Sequence, residues 1–184
     1  MNELMKDLRR EHYGLRRLLA LLEAKLHMLE QDIPPKYSLI ADTIDYIESY
    51  IERYHHPKED IIYQYIIDND LDRTKDIANI MKDHKTISQT TKPLKATLDA
   101  ILLDIIVPKE TTIEQLRAFI QTEQAHVELE DNLIFPMVES LIDDKGWKII
   151  AQSVPKQDED PLFGERVRAE YQDLFIRLKE INSN

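Results

Sequence analysis

The chain of 184 residues contains no cysteine, only three glycines and only eight prolines. The lack of cysteine excludes disulfides, thiolate-bound zinc, iron–sulfur clusters and thiol nucleophiles. The scarcity of glycine and proline argues against a β-rich domain with many turns and favours long helices. The longest apolar runs, such as Ile105–Val107, are far too short to span a membrane, and no apolar segment of the signal-peptide kind follows the N-terminus. We therefore expect a cytoplasmic protein with no membrane partner.

Acidic residues outnumber basic ones by 35 to 24, which gives a formal net charge of −11. A chain with this charge repels phosphate backbones, so we expect no nucleic-acid partner. Apolar residues make up 42% of the chain and charged residues 32%. These proportions allow a buried core with a well-solvated surface, and they exclude a disordered chain.

Apolar residues recur three or four positions apart in four long segments, as they do in amphipathic helices. The connections between these segments are short, so successive helices should be antiparallel neighbours. The sequence therefore predicts an all-α fold, an up-down-up-down four-helix bundle with an additional C-terminal helix. We place the bundle in residues 1–145 and a C-terminal extension in residues 146–184, whose amphipathic fifth helix either caps the bundle or forms a homodimer interface. The predicted helices cover about residues 3–30, 37–68, 72–106, 110–143, 147–152 and 163–181.

Each of the four apolar stripes is interrupted by polar residues that face the bundle axis. With a rise of about 1.5 Å per residue, these residues lie at nearly the same level on all four helices. A buried imidazole or carboxylate without a partner is strongly destabilising, so the whole set needs a common explanation. The residues are His12 on the first helix, His55 and Glu59 on the second, His84 on the third, and His126 and Glu130 on the fourth.

Two of these helices carry the same His-x3-Glu pair, His55 with Glu59 and His126 with Glu130. A histidine and a glutamate four residues apart lie on one helix face, close enough to share a metal ion. Four imidazoles with two bridging carboxylates offer each of two cations about four donors and leave positions for water, hydroxide or a small ligand. Such donors suit iron, and manganese or zinc less specifically. The pattern therefore predicts a dinuclear metal site.

The sequence around these residues resembles the hemerythrin-like (HHE cation-binding) family. The strings REHYGLRRLLALLE, YHHPKEDIIY, MKDHKTI and HVELEDNLIFP look like that family's four helices in order, and the resemblance covers about residues 5–140. It implies a four-helix bundle that holds two iron ions in a non-heme di-iron centre. The family's metal ligands would correspond to His12, His55, Glu59, His84, His126 and Glu130, with Glu59 and Glu130 bridging the ions.

The third helix departs from the pattern of the oxygen-carrying members of the family. Those proteins are expected to have two histidines four residues apart, whereas Ile80 and Ser88 stand at that spacing from the single histidine here. Oxygen carriers also place an aspartate five residues after the last histidine; Asp131 has that spacing from His126, but Glu130 matches the His-x3-Glu repeat. The resemblance therefore implies binding or sensing of dioxygen or nitric oxide, or iron handling, rather than oxygen transport. We identify no catalytic residue and assign no enzymatic activity.

Two alternatives remain open at this point. The first is a ferritin-like di-iron oxidase, because Glu52-x2-His55 and Glu123-x2-His126 match the Glu-x-x-His pairs of that class, although it also needs a core glutamate on each of the other two helices. The second is a metal-free helical interaction module that works through the fifth helix and the surface acids. We interpret Glu52 and Glu123 as outer or surface acids rather than ligands, and His56 as a residue on the bundle flank.

Overall fold

A computed structural model describes residues 2–72, 75–155 and 159–181, apart from the side chain at position 181. Within these ranges the fold is all-helical and no strand is found. No helix in these ranges is both long enough and apolar enough to cross a lipid bilayer. The prediction of an all-α fold is thereby confirmed.

The first three predicted helices are all present, and the first two follow the expected ranges closely. The helix α1 spans Glu3–Glu30. The helix α2, Tyr37–Tyr46, continues through a π-helical stretch, Ile47–His55, into α3, His56–Asp68. The helix α4 spans Asp76–Leu102 and is shorter at both ends than predicted.

The second half of the chain repeats this arrangement of an α-helix interrupted by π-helical turns. The helix α5, Lys109–Leu129, passes through the π-helical turn Glu130–Ile134 into α6, Phe135–Leu141. The C-terminal part contains α7, Asp144–Ser153, then a 3-10 turn at Ala169–Tyr171 and the helix α8, Gln172–Ile181.

Aspartate ends three of the helices in this glycine-poor chain. Asp32, Asp70 and Asp104 follow α1, α3 and α4 with positive φ angles between 51° and 59°. Aspartate is one of the few residue types that adopts this left-handed conformation, which glycine usually supplies after a helix. In each case the next amide donates to a carbonyl five residues back, which satisfies part of the helix end. These bonds are Ile33 to Met28, Leu71 to Ile66 and Ile105 to Ala100, at 2.9, 3.0 and 2.9 Å.

The buried apolar residues form two clusters at different levels along the helices. On α1 the smaller cluster contains Leu8 and the larger one begins at Leu15, with His12 between them. On α4 the smaller cluster contains Ile80 and the larger one contains Leu94, with His84 between them. The helix α5 packs against α1 and α4, and α4 also packs against α2 and α3. The polar level predicted from the sequence therefore lies between two apolar layers.

The C-terminal segment is anchored on α1 and α2. Leu174 and Leu178 of α8 are buried in the larger apolar cluster. The hydroxyl of Tyr46 donates to Asp160, 3.0 Å from its Oδ2. Phe163 lies so close to Gly14 that a Cβ atom at that position would come within 2.9 Å of its ring. The apolar stripe of α8 is thus used within its own chain, and a homodimer through this helix remains a prediction.

We expect Leu174→Ala to lower the free energy of unfolding by about 2–5 kcal/mol, because it leaves a cavity in the larger cluster. Ile176→Ala on the same helix is the matched control: Ile176 is 50% exposed, so its loss should stay within about 0.5 kcal/mol. Urea unfolding followed by circular dichroism measures both changes. Equal, small effects of the two substitutions would show that α8 does not share the core.

Candidate metal centre

The structure brings all six predicted site residues together in the interior. His12, His55, Glu59, His84, His126 and Glu130 are each 7% exposed or less. They come from α1, α3, α4, α5 and the π-helical turns, so the cluster joins all the long helical stretches. The shared level predicted from helix lengths is the level at which they meet.

The two carboxylate oxygens of Glu59 face different histidines. Its Oε1 lies 3.1 Å from Nε2 of His55 and 3.6 Å from Nε2 of His12. Its Oε2 lies 3.5 Å from Nε2 of His84. A carboxylate placed in this way can bind one cation through each oxygen.

Glu130, at the start of the second π-helical turn, also lies among three histidines. Its Oε2 lies 3.2 Å from Nε2 of His126 and 3.3 Å from Nε2 of His12. Its Oε1 lies 3.7 Å from Nε2 of His84 and accepts a hydrogen bond of 2.7 Å from the buried hydroxyl of Tyr63. Glu59 and Glu130 therefore both lie between two sets of imidazoles.

The potential donor atoms form two groups, in each of which all atoms lie within 4.8 Å of one another. The His12 group contains His12, His55, Glu59 and Glu130. The His84 group contains His56, His84, His126 and Glu59. Both groups share Glu59, so they are two adjacent candidate cation sites.

The interpretation of His56 as a flank residue is wrong, because this residue belongs to the His84 group. It is 4% exposed, and its ring stacks on that of His84 with the centroids 4.3 Å apart. The cause is the π-helical stretch before it, in which the His56 amide donates to the carbonyl of Ile51, five residues back. A π-helical turn holds more residues than an α-helical one, so the 3.6-residue spacing does not apply and two consecutive histidines both face inwards.

One sequence signal for this irregularity exists. Pro57 follows His56, and Pro136 follows Phe135 directly after the second π-helical turn. A proline inside a helix lacks the amide for the i−4 bond and clashes with that carbonyl. Pro57 and Pro136 thus mark the two places where the regular helix is interrupted, whereas Pro93 lies within the continuous helix α4.

Three of the imidazoles, which face the cluster with Nε2, donate a hydrogen bond from Nδ1 to a carboxylate outside the cluster. The Nδ1–H of His12 donates to Asp131 at 3.0 Å, that of His55 to Glu11 at 2.7 Å, and that of His84 to Asp60 at 2.9 Å. This fixes the tautomer, so that each Nε2 presents its lone pair to the cluster. Glu11 and Asp60 were missed in the sequence because these contacts join different helices; no local spacing indicates them.

Basic residues fix two of these outer carboxylates in turn. Lys58 donates to Glu11 at 2.7 Å and Arg16 to Asp131 at 2.5 Å. Burial opposes ionisation of Glu11, but the hydrogen bond from His55 and the charges of His55 and Lys58 outweigh it and lower its pKa to about 2. Glu11 is therefore ionised, and the basic residues hold both Glu11 and Asp131 in place.

Many polar atoms at the centre of the cluster are buried without a hydrogen-bond partner among the described residues. They are Nε2 of His12, His56 and His84, both ring nitrogens of His126, both oxygens of Glu59 and Oε2 of Glu130. Leaving such atoms unsatisfied is unusual and destabilising in a protein interior. Cations bound between them would satisfy these atoms, so the residues present fit a metal site.

The electrostatics of the cluster favour positive charge near its carboxylates. Burial lowers the pKa of a histidine, yet Glu59 and Glu11 raise that of His55 to about 9, and Asp60 and Glu130 raise that of His84 to about 10. His56, which burial and the neighbouring His84 disfavour as a cation, has a lowered pKa. A metal cation bound by neutral imidazoles would supply the positive charge that the carboxylates stabilise.

Glu52 and Glu123 lie outside both donor groups. Glu52 is partly buried and accepts a hydrogen bond of 2.6 Å from the hydroxyl of Thr91. Glu123 is fully buried, neither of its oxygens has a hydrogen-bond partner within the described ranges, and burial raises its pKa to about 7. The placement of Glu52 agrees with its interpretation as an outer acid. Glu123 also lies outside the donor groups, but it is buried more deeply than a surface acid would be.

The comparison with protein families identifies the class. The model of the hemerythrin HHE cation binding domain matches residues 4–138. The chain belongs to this family, and the match includes every residue of both donor groups.

Similar proteins occur in Mycobacterium bovis and Mycobacterium tuberculosis, where they are described as uncharacterized proteins. Each is 23% identical over 183 residues, which cover 97% of this chain and 69% of the relative. No solved structure gives a significant match.

We expect His56→Ala to leave one cation tightly bound and to weaken the other by about 10–100-fold, the effect typical of a disturbed metal-ligand shell. Titration with cobalt(II), followed by its visible absorption, measures both steps. His27→Ala is the matched control, because His27 is exposed and remote from the cluster. Two binding steps of unchanged affinity in His56→Ala would remove this residue from the site.

Proposed function

We propose that the protein is a hemerythrin-like non-heme dinuclear metal protein that holds two iron ions. The His12 group would bind one ion and the His84 group the other, with Glu59 and Glu130 bridging them. The observation that carries this proposal is that both carboxylates lie within 3.7 Å of imidazoles from both groups: Glu59 has one oxygen towards each group, and Oε2 of Glu130 lies between His12 and His126. The family match supports cation binding in general.

We also infer that the four long helical stretches form a bundle of up-down-up-down topology. The short connections between them and the packing of α5 on α1 and of α4 on α2 and α3 support this arrangement. A bundle of this kind supplies donors from facing helices to one interior site. The division into a bundle of residues 1–145 and an extension of residues 146–184, and the cytoplasmic location, remain predictions.

The donor set favours iron, with manganese or zinc as less specific occupants. Imidazole and carboxylate donors with free coordination positions are typical of non-heme iron sites. With both carboxylates bridging, the His12 group would offer four protein donors and the His84 group five, so six-coordinate ions would keep about two and about one exchangeable positions. Ferrous ions bound there would supply a redox-active site that accepts dioxygen or nitric oxide.

The chain itself orients and isolates this site. Asp131, Glu11 and Asp60 hold three imidazoles in the tautomer that binds through Nε2. Tyr63 holds Oε1 of Glu130. The two apolar clusters above and below exclude bulk water from the carboxylates, which strengthens their attraction for cations.

We propose binding or sensing of the diatomic ligand, or iron handling, rather than oxygen transport. The helix α4 provides one histidine, because Ile80 is packed in the smaller apolar cluster and Ser88 borders a surface groove. His56 of α3 takes the third imidazole position of the His84 group instead. The ligand shell thus differs from the one that the oxygen carriers are expected to have.

The ferritin-like alternative has less support. It requires Glu52 and Glu123 as ligands, yet Glu52 is bound to Thr91 and neither residue joins a donor group. The metal-free module is disfavoured by the number of unsatisfied polar atoms that the cluster buries.

Substitution of the glutamates tests the proposal directly. After anaerobic loading with ferrous iron and desalting, we expect the unmodified protein to retain about two ions per chain and to gain near-ultraviolet absorption in air. Glu59→Gln and Glu130→Gln should lose at least one ion, since a neutral amide cannot bridge two cations. Glu52→Gln and Glu123→Gln are the matched controls and should load normally.

Each contrary outcome of this experiment has a defined meaning. If Glu52→Gln and Glu123→Gln lose metal while Glu59→Gln and Glu130→Gln retain it, the hypothesis of a ferritin-like oxidase site is correct. If the unmodified protein remains colourless and holds less than one metal ion per chain, the metal-free module is correct.

We expect Tyr63→Phe to weaken metal binding by about 10-fold or more, because Glu130 loses the hydrogen bond that holds its Oε1. The matched control is Tyr46→Phe, which loses a similar tyrosine–carboxylate bond to Asp160 in another part of the fold. Both variants should lose about 1 kcal/mol of stability, but only the first should alter metal affinity. Competition with a chromophoric chelator measures the affinity, and equal affinities would contradict a role for Tyr63.

A further inference from the structure

In the part of the chain that the structure describes, two surface grooves touch the cluster and a third cavity touches Glu11 beside it, and they differ in how much charge lines them. The α4–α5 groove, of about 510 Å³, is lined by Ile87, Ala118, Ala125, His126 and Leu129, together with Asp83 and three neutral polar residues. The ring of His126, whose Nε2 lies 3.2 Å from Oε2 of Glu130, forms part of its wall. One side chain therefore separates this groove from the bridging carboxylate.

The α3–α4 groove, of about 370 Å³, also reaches the cluster but is strongly charged. It touches His56 and His84, and its walls carry Glu52, Asp60 and Lys85, together with Lys92. Such a surface holds water tightly and suits ions rather than an apolar solute. The cavity beside α1, of about 590 Å³, ends at the ion pair of Glu11 and Lys58, which lies outside His55.

We propose that an uncharged diatomic gas, dioxygen or nitric oxide, reaches the metal centre through the α4–α5 groove and past the edge of His126. This inference rests on the proposed function, since it concerns the ligand of that site. Such gases carry no charge and form weak hydrogen bonds, so they favour apolar surface over charged, hydrated surface. Both grooves lie one imidazole ring from the cluster, so the difference in charge favours the α4–α5 groove: Asp83 is its single acidic or basic side chain besides His126, against four in the α3–α4 groove besides its histidines.

The groove is open where two alanines, with their small side chains, line it. Ala118 and Ala125 are seven residues apart on α5, so they lie on the same face two turns from each other. Leu129, one turn after Ala125, is 39% exposed and continues the apolar wall. A larger side chain at Ala125 would occupy the passage directly beside His126 without changing any donor residue.

The first test compares two leucine substitutions on exposed helical positions, where leucine is well tolerated. Ala125→Leu fills the α4–α5 groove, and Gln89→Leu, the matched control, fills the α3–α4 groove. With full-length protein loaded with ferrous iron, stopped-flow mixing with nitric oxide should show association slowed by about tenfold in Ala125→Leu and unchanged in Gln89→Leu. Metal content is measured on the same samples and should be equal.

The second test does not depend on bound iron. In full-length protein freed of paramagnetic metal, dissolved dioxygen should enhance the relaxation of the Ala118 and Ala125 methyl protons more than that of Ala151, an exposed alanine on α7. Ala125→Leu should abolish the excess at Ala118. This readout stands even if the protein binds no metal, so it separates failure of the access route from failure of the proposed function.

Several results would overturn the inference. Unchanged nitric oxide association in Ala125→Leu, or a slowing confined to Gln89→Leu, would place the route elsewhere. Equal slowing in both variants would show that the groove has no special role. Relaxation of Ala118 and Ala125 no greater than that of Ala151 would show that the groove does not concentrate the gas.

Discussion

Two fully buried carboxylates set the constraints on the rest of this structure. Glu59 and Glu130 are surrounded by imidazole nitrogens and lie between two apolar clusters, where an uncompensated negative charge would be strongly destabilising. Each surrounding feature reduces that cost: the histidines face the carboxylates through Nε2, Tyr63 donates to Glu130, and the outer acids fix the imidazoles. The helices must converge at one level because the carboxylates and imidazoles are spread over all of them.

The backbone departs from regular α-helix where the cluster requires it. One π-helical stretch ends at His55 and the other begins at Glu130, so each adjoins a residue of the cluster. The hydrogen bonds of such turns are less favourable than those of an α-helix, and they are retained mainly at functional sites. Here the first stretch lets His55 and His56 both face inwards, and the second lets Glu130 and Phe135 both be buried. The irregular turns thus supply inward-facing side chains that a regular helix of the same length would not.

The sequence was sufficient for the features that depend on regular helix geometry. The bounds of α1, the all-helical fold and the meeting of six polar residues at one level follow from apolar spacing and a constant rise per residue. His56 was misplaced because the same spacing was applied across a π-helical stretch. Glu11, Asp60 and the hydrogen bond of Tyr63 to Glu130 could not be derived, since partners such as Glu11 and His55 are 44 residues apart and only the packed helices bring them together.

The two donor groups are chemically unequal, which would affect how firmly each holds a cation. In the His12 group both imidazoles are backed by carboxylates and are almost completely buried. In the His84 group, within the described ranges, only His84 has such a partner, and all three imidazoles border surface grooves. An imidazole that donates to a carboxylate is the more basic ligand and stabilises a cation more strongly. The proposed cation of the His12 group would therefore be held more firmly, whereas exchange with the outside would occur beside α4, where His126 borders one groove and His56 and His84 border the other.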